Sequence, residues 1–205
     1  RVRNRVSSRA DCEAVTEDLS IKERVFAQLD IYSPERAILA SNSSTIMPSR
    51  MARATGRPDR VVVTHYFNPP YLVPVVEIVG GPETSDETIE VAQRLLSKVG
   101  KRSVVLKKEA PGFIVNRLQI ALMREALSIV EQGIASAEDI DIVARNSFGR
   151  RRAVAGPFEV FESAGLDVVL AMMGELLPQI ESSTEVPSIV REMVSRGDLG
   201  MGRPG

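Results

Sequence analysis

Two valine-rich stretches decide the fold of this chain, Val61-Val62-Val63-Thr64-His65 and Val75-Val76-Glu77-Ile78-Val79. Short apolar runs rich in β-branched residues are typical of buried strands. Residues 37–41 and 102–106 have the same character, and segments with 3.6-residue apolar periodicity lie between these strands. Strands that alternate with helices indicate an α/β sheet layered with helices.

After residue 108 the pattern changes. Residues 112–134 carry a long 3.6-residue apolar periodicity, Ser136 is placed to cap a further helix, and no convincing strand follows. The segment Glu109-Ala110-Pro111-Gly112 marks the change with proline and glycine. We therefore predict two domains: an α/β domain over residues 1–108 and an all-helical domain over residues 109–205.

The composition excludes several classes of function. The net charge of −1 gives no electrostatic reason to expect a nucleic acid or an anionic membrane as partner. No apolar run approaches the roughly 18 residues of a membrane span. The single cysteine, Cys12, has no partner for an internal disulfide and no companion ligands for a metal site. A reducing compartment fits, and we expect a cytoplasmic protein.

His65 is the only histidine, and Glu77 follows it by twelve residues. Imidazole can take and return a proton near neutrality, and a carboxylate on its far nitrogen would fix its tautomer. The proline-broken connection between the two strands is short enough to bring these side chains together. A lone histidine at a strand end is also often a structural residue, but a carboxylate in an apolar strand is rare unless paired.

The last six residues, Gly200-Met201-Gly202-Arg203-Pro204-Gly205, match the G-x-G-x-x-G pattern of dinucleotide-binding proteins. That pattern has meaning only where it follows a strand and opens a helix. Here it follows a polar helix and contains proline, so we interpret it as a loop.

Several segments, taken together and in order, resemble the 3-hydroxyacyl-CoA dehydrogenase family. They are residues 13–19 with Lys22, Ser41-Asn42-Ser43-Ser44, His65-Tyr66-Phe67-Asn68-Pro69-Pro70 with Glu77, Pro111-Gly112-Phe113-Ile114-Val115-Asn116-Arg117, residues 133–141 and Gly156-Pro157-Phe158-Glu159. Residues 147–155 are closer to the 3-hydroxybutyryl-CoA and L-gulonate dehydrogenase branches. The resemblance implies a partial Rossmann-like NAD-binding domain followed by a helical substrate-binding and dimerisation domain.

The resemblance also implies a reaction: NAD-dependent oxidation of (S)-3-hydroxyacyl-CoA to 3-ketoacyl-CoA, as in β-oxidation of fatty acids. His65 would be the general base on the 3-hydroxyl group, and Glu77 would orient it. Ser44 would hydrogen-bond the reacting oxygen, and Asn116 would hold substrate and His65 in register. The implied partners are an acyl-CoA substrate and a second copy of the chain, bound through the helical domain.

For the cofactor, NAD, the resemblance places Glu17 and Lys22 near its ribose groups and Ser44 and Asn68 beside the nicotinamide. Arg203 would be a further basic contact. Each position also has a plainer interpretation: turn chemistry for Ser44, the start of a loop for Asn68, and a solvated helix entry for Glu17 and Lys22.

The family begins with a Gly-rich strand–turn–helix unit that binds the NAD pyrophosphate, and this sequence does not show it. Residues 1–14 are also too polar and short for the strand expected before Glu17. We expect about 80 to 100 upstream residues to supply the missing unit. Two alternatives remain open: a dehydrogenase of a free hydroxy acid such as L-gulonate, and a non-catalytic remnant that dimerises through its helices.

Overall fold

The computed structural model of the chain describes residues 9–200, which form two compact units. One unit ends at Leu118 and the other begins at Gln119. A mixed sheet flanked by helices forms the first unit, and the second is helical throughout its described residues. The predicted fold class, α/β followed by helices, is confirmed.

The first unit carries a five-stranded sheet in the order β1-β2-β3-β4-β5. Neighbouring strands are parallel except for β3 and β4, which are antiparallel. The elements are β1 Ala10–Glu13, α1 Leu19–Tyr32, β2 Ile38–Ser41, α2 Pro48–Ala52, a 3-10 turn Pro58–Arg60, β3 Val61–Tyr66, β4 Val75–Gly80, α3 Asp86–Lys98 and β5 Arg102–Val105.

The antiparallel pairing of β3 with β4 positions the predicted dyad. In its register His65 lies directly opposite Glu77. Residues that face each other across neighbouring strands have Cβ atoms about 4.5–5.5 Å apart, within reach of a side-chain hydrogen bond. The valines at positions 61, 62, 63, 76 and 79 are fully buried, as their β-branched pattern predicts.

The expectation that residues 1–14 contain no strand is wrong. Ala10–Glu13 forms β1 and pairs in parallel with β2. The polar sequence was misleading because Asp11 and Glu13 are buried despite their charge. Glu13 is tolerated there because it is paired with the ammonium group of Lys22.

Apolar clusters pack on the two faces of the sheet and hold its strands in place. One is built around Phe26 and Phe113 and includes Leu39, Val63 and Val79. The other contains Ile38, Val62, Val76, Ile78, Ala92 and Leu96. Both clusters draw on β2, β3 and β4, so the central strands that carry the dyad are also the most deeply buried part of the unit.

Helices α1 and α3 of the first unit begin with side-chain caps, which supply acceptors for backbone N–H groups of the first turn. The Asp18 carboxylate accepts from Ile21 N before α1, and the Ser85 hydroxyl accepts from Thr88 N before α3. In the second unit Ser136 caps its helix as predicted, in a reciprocal capping box with Asp139.

The helical part begins with α4, Val115–Glu131, whose first turn belongs to the first unit. The other helices are α5 Ala137–Asn146, α6 Phe148–Arg152, α7 Pro157–Ala164, α8 Leu166–Leu176 and α9 Ser188–Ser195. From Gln119 to Gly200 only Ser128 and Val169 are buried. Among the residues described, no helix has the length and apolarity to cross a membrane.

Candidate active site

His65 and Glu77 form a buried hydrogen-bonded pair. His65 Nδ1 lies 2.8 Å from Glu77 Oε2, and the two residues are only 4% and 2% exposed. The carboxylate can only accept at this contact, so Nδ1 carries the proton and donates a hydrogen bond to Glu77. Nε2 is then left with its lone pair, the state that a general base requires.

The second oxygen of Glu77 is held by the backbone. Ile114 N and Val115 N donate to Oε1 over 2.9 and 3.0 Å. These donors stand at the start of α4, where the helix leaves N–H groups without intrahelical acceptors. A carboxylate is stabilised there by both the hydrogen bonds and the helix dipole. Glu77 is therefore fixed at both oxygens, and it fixes the imidazole in turn.

A tight turn delivers these donors to Glu77. Gly112 has φ +75° and Phe113, although not a glycine, has φ +52°. A bulky residue in the left-handed region is strained unless its surroundings hold it. Phe113 is held because its side chain is 1% exposed in the core and tilts against the His65 ring, with ring centroids 5.5 Å apart.

Aromatic rings limit how His65 can rotate. Phe67 packs edge-on against the imidazole with ring centroids 4.5 Å apart, on top of the contact with Phe113. Nε2 of His65 has no hydrogen-bond partner among residues 9–200. The one open position on the ring is thus the nitrogen that would take the proton.

Ser44 and Asn116, which lie 72 residues apart, meet at this site. The Asn116 side-chain amide donates to Ser44 O over 2.9 Å. No hydrogen bond of the Ser44 hydroxyl is found within the described part of the chain, so it is free to engage a ligand. The first turn of α4 therefore bridges the Ser44 turn through Asn116 and the dyad through Val115.

Asn42, which the sequence analysis did not single out, also joins the two strand ends. Its Oδ1 accepts from Tyr66 N over 2.9 Å, next to His65, and its own N donates to Glu13 O. The signal was present in the sequence: an amide side chain directly after a buried strand often bonds to neighbouring backbone. Asn42 keeps the end of β2 beside the end of β3.

Glu17 is the centre of a turn formed by residues 43–46. Its Oε1 accepts from the Ser43 hydroxyl at 2.5 Å, Ser44 N at 3.1 Å, Thr45 N and Oγ1 at 2.9 Å, and Ile46 N at 3.3 Å. Burial alone would raise the pKa of Glu17, but hydrogen bonds from Ser43 and Thr45, with a nearby ammonium group, lower it to about 2. Glu17 is therefore ionised across the physiological range.

Lys22 is only 1% exposed and belongs to a buried charge cluster. Its Nζ donates to both Glu13 oxygens, at 2.9 and 3.1 Å, and to Val15 O, and it lies 3.5 Å from Glu17 Oε2. Glu13 also accepts from the Ser41 hydroxyl and from Val15 N. The solvated helix entry considered for Lys22 does not describe this environment, and its contact with a cofactor stays a prediction.

Asn68 and Arg203 are the two remaining candidates for contact with the cofactor. Asn68 is exposed in the loop after β3, and no hydrogen bond of its side chain is found within the described residues. Arg203 lies outside the described residues. For both residues, the contact with NAD stays a prediction.

The groups left open at this edge of the sheet suit NAD chemically. They are the Ser44 hydroxyl, the Asn68 amide and His65 Nε2. Hydroxyl and amide groups are partners that ribose hydroxyls and a nicotinamide carboxamide require. They lie at the carboxyl ends of β2 and β3, where ligands of open α/β sheets bind.

Comparisons with known proteins match both parts of the chain to one enzyme family. Residues 3–110 match the NAD-binding domain of 3-hydroxyacyl-CoA dehydrogenase, and residues 112–204 match the C-terminal domain of the same enzyme family. The cofactor expected from the sequence, NAD, is thereby confirmed. Over 154 residues the chain is 44% identical to the L-carnitine dehydrogenase of Mesorhizobium japonicum. The aligned region covers 75% of this chain and 42% of that protein.

Two solved structures extend the comparison across almost the whole chain. A 5-formyl-3-hydroxy-2-methylpyridine 4-carboxylic acid 5-dehydrogenase has a TM-score of 0.92 at 32% identity, covering 95% of this chain and 63% of that one. The (S)-3-hydroxybutyryl-CoA dehydrogenase of Ralstonia eutropha has a TM-score of 0.73 at 34% identity, covering 94% and 67%. The chain spans about half the length of the curated relatives it matches. It belongs to the 3-hydroxyacyl-CoA dehydrogenase family.

Proposed function

We propose that this chain carries the proton-transfer centre of an NAD-dependent dehydrogenase that oxidises the hydroxyl group of a 3-hydroxy acid or its CoA thioester. The observation that carries the proposal is the buried 2.8 Å pair of His65 Nδ1 and Glu77 Oε2, which leaves Nε2 open. A non-catalytic remnant would have no need of a buried histidine that is fixed on one nitrogen and free on the other.

In this mechanism His65 Nε2 takes the proton of the substrate hydroxyl group. Glu77 keeps the imidazole in one tautomer and stabilises the imidazolium that forms. The Ser44 hydroxyl donates to the reacting oxygen, and Asn116 keeps the Ser44 turn next to the dyad. NAD, when bound, supplies the acceptor for the hydride that leaves the carbon bearing the substrate hydroxyl group. In the reverse direction His65 returns the proton.

Two substrate classes are candidates. The sequence resemblance favours a (S)-3-hydroxyacyl-CoA, and the similarity to the Ralstonia 3-hydroxybutyryl-CoA dehydrogenase at 34% identity supports it. A free hydroxy acid is favoured by the higher identity, 44%, to a protein named L-carnitine dehydrogenase. Carnitine carries its hydroxyl group on carbon 3 of a free carboxylic acid. We therefore place the free 3-hydroxy acid first and the CoA thioester, with its role in β-oxidation, second.

A substrate panel tests this proposal. The protein in its natural length is assayed for NADH formation with L-carnitine, L-gulonate, (S)-3-hydroxybutyrate and (S)-3-hydroxybutyryl-CoA. The expected result is turnover of at least one of these 3-hydroxy compounds, and a higher kcat/KM for a free acid than for the thioester. Preference for the thioester reverses the order of the two classes. No turnover of any of them, with NADH still bound, supports the non-catalytic alternative.

We also propose that the helical unit binds a second copy of this chain. Helix α8 is apolar around most of its circumference, which is typical of a helix that is buried. Yet Leu170 is 75% exposed, and on the neighbouring helix α7 Phe158 is 84% exposed. Exposed apolar surface on this scale marks an interaction site. The partner of a homodimer presents the same kind of surface, so both are covered at once.

Sedimentation equilibrium tests the dimer. The protein is expected to sediment at twice its monomer mass, and Leu170→Glu is expected to shift it towards the monomer, because burying a charge without a partner is costly. Glu175→Lys, on the same helix but at an exposed polar position, is the matched control and leaves the dimer intact. A wild-type monomer at micromolar concentration would contradict the proposal.

A further inference from the structure

We propose that Glu17 is a positioning residue: its carboxylate holds the turn of residues 43–46 in the shape that presents the Ser44 hydroxyl group to the substrate. The inference rests on the proposed function. It goes beyond that function because it gives Glu17 a role in the chemical step, which differs from the contact with the cofactor ribose suggested by the family resemblance.

One carboxylate oxygen of Glu17 is saturated with hydrogen bonds. Four groups of the turn donate to Glu17 Oε1 within 3.1 Å, and a fifth does so at 3.3 Å. They include three consecutive backbone N–H groups, those of Ser44, Thr45 and Ile46. Convergence of successive N–H groups on a single anion dictates the backbone conformation of the turn. Ile46 N also donates to the Ser43 hydroxyl oxygen at 2.8 Å. Ser44 N and Thr45 N, by contrast, have no other acceptor among the described residues, so they would be unpaired without the anion.

Glu17 is itself anchored by a cluster of charged side chains. Its other oxygen lies 3.5 Å from Lys22 Nζ, and Lys22 is tied to the buried Glu13 at 2.9 Å. Glu13 in turn accepts from the Ser41 hydroxyl, whose oxygen accepts from Ser43 N at 3.0 Å. The charge cluster therefore holds the turn from both ends, through Glu17 at its tip and through Ser41 at its base.

The turn of residues 43–46 is also linked to the dyad of His65 and Glu77. The carbonyl oxygen of Ser44 accepts from Asn116 on the first turn of α4, and Val115 on the same turn donates to Glu77. Displacement of the turn would move Ser44 relative to His65. A misplacement of about 1 Å at a reacting group can cost about a hundredfold in rate. Glu17 contacts neither reacting atom, so it acts through Ser44.

A double-mutant cycle in kcat, measured on the protein in its natural length, tests this role. Glu17→Gln is expected to lower kcat about 10- to 100-fold, because the amide carries no charge for the three N–H donors. Ser44→Ala is expected to lower kcat by a similar or larger factor. In the double variant the Glu17 substitution is expected to cost less than twofold beyond Ser44→Ala, since the residue being positioned is gone. Glu35→Gln, an exposed carboxylate, serves as the control.

Two other readouts separate this inference from its alternatives. A ribose contact predicts a higher dissociation constant for NADH in Glu17→Gln with kcat retained, and additivity with Ser44→Ala; either result overturns the positioning role. Amide hydrogen exchange of Ser44 and Thr45 is expected to speed up at least tenfold in Glu17→Gln, and this measurement needs no enzyme activity. If exchange in Glu17→Gln is unchanged, the inference is overturned even if the enzyme is active. If exchange in Glu17→Gln is faster but the wild-type protein shows no activity, only the proposed function is contradicted.

Discussion

The first unit buries charged side chains that have partners, whereas the second unit leaves large apolar side chains exposed. Glu13, Lys22, His65 and Glu77 are each at most 5% exposed and each is bound by a side chain of opposite or complementary character. Between Gln119 and Gly200, by contrast, nearly all apolar side chains keep contact with solvent. The first unit therefore encloses its core and its buried pairs with its own residues, whereas the second leaves exposed the apolar surface that the proposed dimer would cover.

The largest effect on turnover is expected when Glu77 loses its charge. Glu77→Gln is expected to lower kcat about 10²- to 10⁴-fold, because the neutral amide neither fixes the tautomer of His65 nor stabilises the imidazolium. Steady-state NADH formation gives kcat. The dissociation constant for NADH, measured by fluorescence titration, is expected to stay within about twofold of the wild-type value.

Glu90→Gln is the matched control for this variant. Glu90 is an exposed carboxylate that pairs with Arg94 one helical turn away. It is expected to retain wild-type turnover. If Glu77→Gln also retains it, the buried pair is structural, and the first unit does not carry the chemistry assigned to it.

Two side-chain truncations compare a buried residue of the first unit with an exposed residue of the second. Phe26→Ala removes a fully buried ring from the first unit and is expected to lower the free energy of unfolding by about 3–5 kcal/mol. Leu170→Ala removes an exposed side chain from the second unit, where a monomer would lose less than about 0.5 kcal/mol. Urea unfolding at two protein concentrations measures both.

If the chain forms a dimer, the loss in free energy of unfolding caused by Leu170→Ala depends on protein concentration. If a second copy covers Leu170, its truncation weakens association, so the loss grows when the protein is diluted. The loss from Phe26→Ala stays the same. A small loss at Leu170 that is equal at both concentrations would show that this face is not covered, and would weaken the contrast between the units.

The smallest effect concerns the pH dependence of the first unit. The pKa of Glu17 is about 2 in the folded protein, below its ordinary value of 4.5. A lowered pKa means that its contribution to stability is fully present above about pH 4.5 and is lost as the pH falls towards 2. The stability difference between wild type and Glu17→Gln is therefore expected to shrink across this window in urea unfolding. A difference that does not change with pH would contradict the lowered pKa.

Much of this fold could be predicted because its patterns are local. The valine runs of β3 and β4 and the long periodicity of α4 have one simple interpretation each. The pairing of His65 with Glu77 could be predicted from residue types and a short connection. Strand β1 could not, because the burial of Glu13 depends on Lys22, which lies on the following helix and packs against it only in the folded chain.

The details of the site were harder to predict for the same reason. The family resemblance pointed to Glu17 and Ser44 as separate contacts, yet Glu17 accepts from Ser44 N across 27 residues of sequence. The contact of Asn116 with Ser44 spans 72 residues and depends on the left-handed turn at Gly112 and Phe113. Such contacts arise from the arrangement of strands and helices, which no local pattern encodes.

The central claim is that His65 and Glu77 act as one proton-transfer unit. Its most direct test is kcat of NADH formation in His65→Ala, Glu77→Gln and the double variant, each with its NADH affinity measured. We expect His65→Ala to lower kcat by at least about 10³-fold and the second substitution to cost nothing further, because residues that act as a unit are not additive. Undiminished turnover in His65→Ala, or a full additional loss in the double variant, would contradict the claim.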